Sequence, residues 1–193
     1  MGTVYSNITL KGPQPRDVIQ ELGSQGRSAF VVVSENGLTT VYEMDSDEGE
    51  SRLLQELAED LSGCFGCPAL AVRIAEENAL CYWLYDDGQL VDNSAPFASP
   101  QQPAGTGATQ RSRSNSELLA RYFNTNASAE EIIDILAHPG HENGETLAVD
   151  RHLSLVELLE LPLCSVGFSF CDLDSGEFPE DVDEEDVLSV NIE

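Results

Sequence analysis

The sequence predicts an α+β protein, an antiparallel sheet with helices laid on it. Three observations carry that expectation. Hydrophobic periodicity changes between 2 and 3.6 residues in the order strand, helix, strand, strand, helix, strand. Two further runs rich in β-branched and aromatic residues follow at once, each entered through a turn. Beyond a stretch without periodicity, residues 115–171 carry short amphipathic helical patterns.

Residues 3–10, TVYSNITL, alternate and open the sheet. Residues 13–22, PQPRDVIQEL, begin with prolines, place Val18, Ile19 and Leu22 at helical spacing, and stop at Gly23. The runs AFVVVS (29–34) and LTTVYE (38–43) flank Glu35-Asn36-Gly37. Asn-Gly between two such runs is a strong hairpin signal, because both residues tolerate positive φ. An acidic turn, MDSDEGES, leads to RLLQELAEDLS, where Leu53, Leu54, Leu57 and Leu61 share a helical face. Strands PALAVRIA, ALCYWLYD and QLVD then follow, separated by Glu76-Glu77-Asn78 and Asp86-Asp87-Gly88.

The first six elements match a ferredoxin-like split βαβ arrangement, and the added strands extend its antiparallel sheet as a β-meander. Residues 1–97 form this α+β sheet domain. Residues 98–114, rich in Ser, Pro, Gln and Gly, read as a linker or mobile loop, with Arg111 and Arg113 in a Ser-rich context. Residues 115–171 form a helical C-terminal part that packs on the sheet. In it, NSELLARYF begins at a capping Asn115, SAEEIIDIL begins as a capping box at Ser128 and Glu131, and a third helix runs over 150–159 from a capping Asp150. SVGFSF (165–170) reads as a short strand. Residues 172–193 carry ten acidic side chains in 22 positions and read as a solvated acidic tail.

Charge is the strongest bulk signal. There are 35 acidic against 9 basic residues, a formal net charge of −26, and Lys11 is the sole lysine. Nucleic acid and anionic membrane are excluded as partners, since phosphate binding needs clustered Lys and Arg. A basic protein or a metal cation is attracted instead, although solubility or an acidic host proteome explains the same number. No apolar run reaches membrane-spanning length, and MGTVYSNITLKG lacks the basic flank and apolar core of a signal peptide. The expectation is a soluble, cytoplasmic protein.

Candidate chemistry is sparse. Cys64 and Cys67 form a Cys-x-x-Cys, but a helix precedes the pair and a strand follows it, the reverse of a thioredoxin-like redox motif. Zinc needs about four ligands, and Cys164 and Cys171 make no second close pair. Both thiols of GCFGC are therefore expected to be reduced and at least partly buried. His138, His141 and His152, with Glu142 and Asp150 nearby, are weak candidates for metal ligands, because Pro139-Gly140 breaks any helix aligning the first two rings. CDLDSGEFPEDVDEED loosely resembles a calcium loop, with its glycine and twelfth-position residue misplaced. Tyr82, Trp83 and Tyr85 read as strand residues that would anchor a partner if exposed. No nucleophile elbow, Walker loop or dinucleotide fingerprint occurs, so no catalytic residue is assigned and no cofactor is expected.

Several phrases in combination, MGTVYSNITLKG, NGLTTVYE, CPALAV, CYWLYDDGQLVD, LAVDRHLSLVELLELP, SVGFSF and GEFP, resemble an uncharacterised bacterial protein family common in cyanobacteria and planctomycetes. The resemblance spans nearly the whole chain. Relatives are more aspartate-rich where this chain has AEEN and largely lack the cysteine pair. It implies no activity, so no functional residue is carried over. The leading expectation is thus a non-enzymatic interaction protein, of inhibitor or immunity type, binding a basic partner. The alternatives are a metal-dependent enzyme or metal-binding protein using the His138, His141 and His152 region, or a module that self-assembles through an open sheet edge.

Overall fold

In a computed structural model of the chain, the described residues are 4–34, 36–75, 79–94, 116–137 and 147–191. They form an α+β fold around one antiparallel sheet of seven strands in the order β6-β5-β4-β1-β3-β2-β7. The strands are β1 (Tyr5–Lys11), β2 (Ala29–Val33), β3 (Leu38–Glu43), β4 (Ala69–Ala75), β5 (Ala79–Asp86), β6 (Gln89–Ser94) and β7 (Val187–Val190). Seven helices accompany them: α1 (Pro15–Ser24), α2 (Met44–Glu48), α3 (Ser51–Phe65), α4 (Ser116–Tyr122), α5 (Ala129–Ala137), α6 (Ala148–Leu159) and α7 (Phe170–Asp174). In the middle of the sheet β3 lies between β1 and β2, and β1 lies between β3 and β4. The meander β4-β5-β6 continues the sheet on one side, as the sequence leads one to expect.

Strand alternation sorts the side chains onto two faces. Ile8, Leu10, Val31, Val41, Ala69, Ala71 and Trp83 meet Val18 and Leu22 of α1 and Leu54, Leu57 and Leu61 of α3. The alanines of β4 let α3 lie close to the strand. On the other face, Leu70, Val72, Ile74, Tyr82 and Leu84 meet Leu119 of α4, Ile132 of α5 and Leu155, Val156 and Leu159 of α6. This is the helical C-terminal part packed on the sheet. A third cluster sets Phe30, Val32 and Tyr42 against Cys164, Phe170 and Leu173.

The turns follow residue chemistry. Asp87 and Gly88, between β5 and β6, both have positive φ, 50° and 71°, the conformation of a tight primed hairpin turn. Gly37 supplies φ 71° between β2 and β3. Helix α3 ends at Gly66, which is left-handed, with the Cys67 N–H returning to the Ser62 carbonyl at 3.1 Å. The Ser62 hydroxyl donates to the Cys67 carbonyl at 2.7 Å and accepts from the Gly88 N–H at 3.1 Å. GCFGC is therefore a helix cap stapled to the β5-β6 turn.

Four expectations are corrected. The acidic turn after β3 is helix α2, capped by the Glu43 carboxylate, which accepts from the Ser46 N–H at 2.8 Å. Helix α6 starts at Ala148 behind Leu147, with no side-chain cap, so Asp150 lies inside its first turn. Residues 165–170 are not a strand: a 3-10 turn over Leu163–Ser165 is followed by α7, whose start is fixed by a Ser169/Asp172 capping box. The tail is not simply solvated, because Val187–Val190 pairs antiparallel with β2 as the seventh strand. Val-Leu-Ser-Val has the β-branched, alternating character of a strand, and the acidic run just before it obscures that signal. The stretch read as a linker, 98–114, lies outside the described residues.

Gly26 and Gly88 share φ 71°, yet a Cβ on Gly88 would stand 3.2 Å from the Gly63 Cα, whereas one on Gly26 meets nothing within 4 Å. Gly26→Ala is expected to cost about 1–2 kcal/mol for the left-handed backbone alone. Gly88→Ala should cost measurably more by urea denaturation, since α3 and the hairpin must separate; equal losses would contradict the close approach.

Candidate functional site

The most organised polar region lies between the sheet and the segment 147–174. β1 and β3 present Tyr5, Asn7, Thr9, Thr40 and Tyr42 there, all buried. Thr9 and Thr40 stand opposite each other in the ladder. Such residues are held only where partners reach them, because an unpaired buried polar group costs about 1–3 kcal/mol. The partners come from far along the chain. The Tyr5 hydroxyl lies 2.7 Å from His152 Nδ1. The Asn7 amide donates to the Ser165 carbonyl at 2.7 Å. The Tyr42 hydroxyl donates to the Cys164 carbonyl, and the Cys164 thiol reaches Thr40 at 3.7 Å. Asn7 Oδ1 is a buried atom of this seam with no hydrogen-bond partner among the described residues.

His152 is thereby placed. Its ring is 1% exposed and stacks on Tyr5 with centroids 5.7 Å apart. Burial pushes its pKa down to about 3, so the imidazole is neutral where its Nδ1 hydrogen-bonds the Tyr5 hydroxyl. Burial likewise raises the Tyr5 hydroxyl and takes the Cys164 thiol up to about 11. This chemistry fixes one part of the chain to another. His138 and His141 lie outside the described residues. Among the described residues no three His, Cys, Asp or Glu side chains gather as a metal set.

The cysteine pair divides. Cys67 is buried, with its thiol raised to about 11 by burial and by Asp86. Cys64 is exposed, against the expectation that both thiols are sheltered. Its pKa is also raised, by its surroundings and by Glu21, so neither position favours a thiolate. In the calcium-like stretch, Asp172 is occupied as a helix cap, accepting from the Ser169 N–H at 2.8 Å. Tyr82, Trp83 and Tyr85 are all buried, so they are core residues and not partner anchors.

Sequence reading missed Asp47. This half-buried carboxylate accepts from the Ser6 N–H at 3.1 Å and from the Phe170 N–H at 3.0 Å, tying α2 to β1 and α7. Burial outweighs these hydrogen bonds and raises its pKa. The spacing signal was absent, since Asp47 looks like every other acidic residue of its turn.

The remaining exposed charge is predominantly negative, with Arg16, Arg52 and Arg121 as exposed cations among the described residues. Lys11 donates to the Tyr122 carbonyl at 2.6 Å, Arg27 pairs with buried Glu43 at 3.1 Å, and Arg73 donates to the Ser46 carbonyl at 3.0 Å. Exposed carboxylates meanwhile line α3 (Glu56, Glu59, Asp60) and the approach to β7 (Asp183, Glu184, Glu185, Asp186).

The buried histidine makes stability depend on pH in a defined direction. Above the unfolded value of about 6.5 the ring is neutral in both states and its contribution is constant. As pH falls below that, the unfolded chain binds a proton that the folded chain refuses until about 3. Between pH 7 and 5 the wild type should lose about 2 kcal/mol more than His152→Leu in urea unfolding. Parallel pH curves for the two proteins would refute the neutral, buried ring. No protein-family model matches the chain, and no curated protein or solved structure matches it either.

Proposed function

We propose that the protein is a non-enzymatic interaction protein, of inhibitor or immunity type, that acts in the cytoplasm by binding a basic protein. Kinship with the cyanobacterial and planctomycete proteins belongs to the same proposal and brings no activity with it. The observation that supports the reading is the disposition of charge. The chain carries −26, and exposed carboxylates far outnumber the exposed Arg16, Arg52 and Arg121, while Lys11, Arg27 and Arg73 bond to groups within the fold. Such a surface raises the encounter rate with a positively charged protein and repels nucleic acid and anionic lipid. No helix among the described residues is long and apolar enough to cross a membrane. With the strand aromatics buried, anchoring falls to exposed apolar side chains such as Leu90, Ile133 and Leu163.

Affinity capture from the source organism's lysate tests this reading. A basic protein should be retained at about 50 mM salt and released by about 300 mM, as screening shortens the reach of surface charge. The purified pair should then associate at least about tenfold more slowly at the higher salt. Finding no basic partner, or one indifferent to salt, would contradict it.

A further inference from the structure

We propose that an extended basic segment of the partner adds to the outer edge of β7 as an eighth strand. One of its apolar side chains enters the cavity beside Leu188, and its cationic side chains face Asp183, Glu184, Glu185 and Asp186. The inference rests on the reading that the partner is basic, and it names where that partner binds.

Three independent features meet at this edge. First, β7 ends the sheet: it pairs with β2 on one side, and no described strand pairs with the other. An edge of this kind presents a row of backbone donors and acceptors that an added strand satisfies. The main packing of β7 is on β2 and on α1. The opposite edge differs, because the β5-β6 ladder is broken by a bulge at Leu84/Tyr85, a device that twists an edge away from pairing.

Second, a cavity of about 440 Å³ opens at the start of β7, lined by Gln14, Pro15, Arg16, Asp17, Val33 and Leu188. Its apolar walls are Pro15, Val33 and Leu188, and Val33 is 36% exposed although it ends a core strand. Successive side chains of an added strand alternate between the two faces of the sheet. Every second residue of the incoming segment would therefore fall on the α1 side, where this cavity lies.

Third, the four residues before β7 are all acidic and all exposed. Only Arg16 opposes them at the cavity, and Asp17 stands next to it. Charge complementarity selects Lys and Arg in the incoming strand and disfavours a second copy of this chain, which brings another −26. With four residues in β7, backbone pairing alone is a small contribution, so affinity depends on backbone, cavity and charge acting together.

A fluorescein-labelled Lys-Val-Lys-Val-Lys-Val-Lys peptide tests the proposal by anisotropy with the full chain, located by amide hydrogen exchange. The peptide should bind and slow exchange at Val187–Val190. N-methylation of alternate peptide bonds removes strand donors without touching the protein, and should weaken binding at least about tenfold. The variant Glu184→Gln/Glu185→Gln/Asp186→Asn, confined to exposed side chains, should weaken it by about tenfold as well. If the methylated peptide binds equally, or protection appears elsewhere, the β7 assignment is overturned while the basic-partner reading stands. If neither this peptide nor a helical Lys/Leu peptide binds at low salt, both are overturned.

Discussion

Strand β1 is buried along Tyr5–Leu10 on both faces of the sheet, and the rest of the structure follows from that burial. A strand covered on both sides is normally an unbroken apolar run. Here it reads Tyr-Ser-Asn-Ile-Thr-Leu, with Ser6, Asn7 and Thr9 all inside. Ile8 and Leu10 meet the α1 and α3 side, which the first hundred residues supply. Tyr5 and Asn7 need His152 and Ser165, which lie 147 and 158 residues further on. The first strand is completed by the last third of the chain.

That dependence explains the placement of the other buried polar groups. Asp47 accepts from both β1 and the start of α7, so one carboxylate joins three elements. Tyr42 reaches the 3-10 turn through the Cys164 carbonyl, and the Phe170 ring packs tilted against Phe30 with centroids 5.3 Å apart. Each bond is worth about 1 kcal/mol when made and costs more when one partner is removed. The seam therefore specifies one docking of the C-terminal segment more than it adds net stability. Neutral His152 contributes to that specificity only while it is unprotonated.

Much of the architecture was legible in the sequence, because periodicity reports which face of an element is buried. Asn36-Gly37 and Asp87-Gly88 marked their turns through backbone chemistry, and of the four leucines read onto one face of α3, Leu54, Leu57 and Leu61 form its buried stripe while Leu53 is exposed. The errors came where local signals compete. Phe168 and Phe170 resemble strand residues, but Ser169 and Asp172 cap a helix and bend the chain inward. Val187–Val190 is outweighed by the acidic run beside it, and its pairing with β2 depends on a strand more than 150 residues away. For the candidate site, sequence spacing singled out His152 and Cys64-x-x-Cys67 by residue type. It could not tell that the histidine is sealed against Tyr5, or that one thiol is outside and the other in.

The same division bears on function. Inward-facing polar residues are committed to each other, and the outward-facing charge is available to a partner. If β1 needs both halves of the chain, sheet and C-terminal segment form one cooperative unit. Native-state amide exchange in increasing urea measures this most directly. The slowest amides of β1 and α6 should share one opening free energy and one urea dependence. Exchange of α6 through a cheaper opening that leaves β1 through β4 protected would contradict the account.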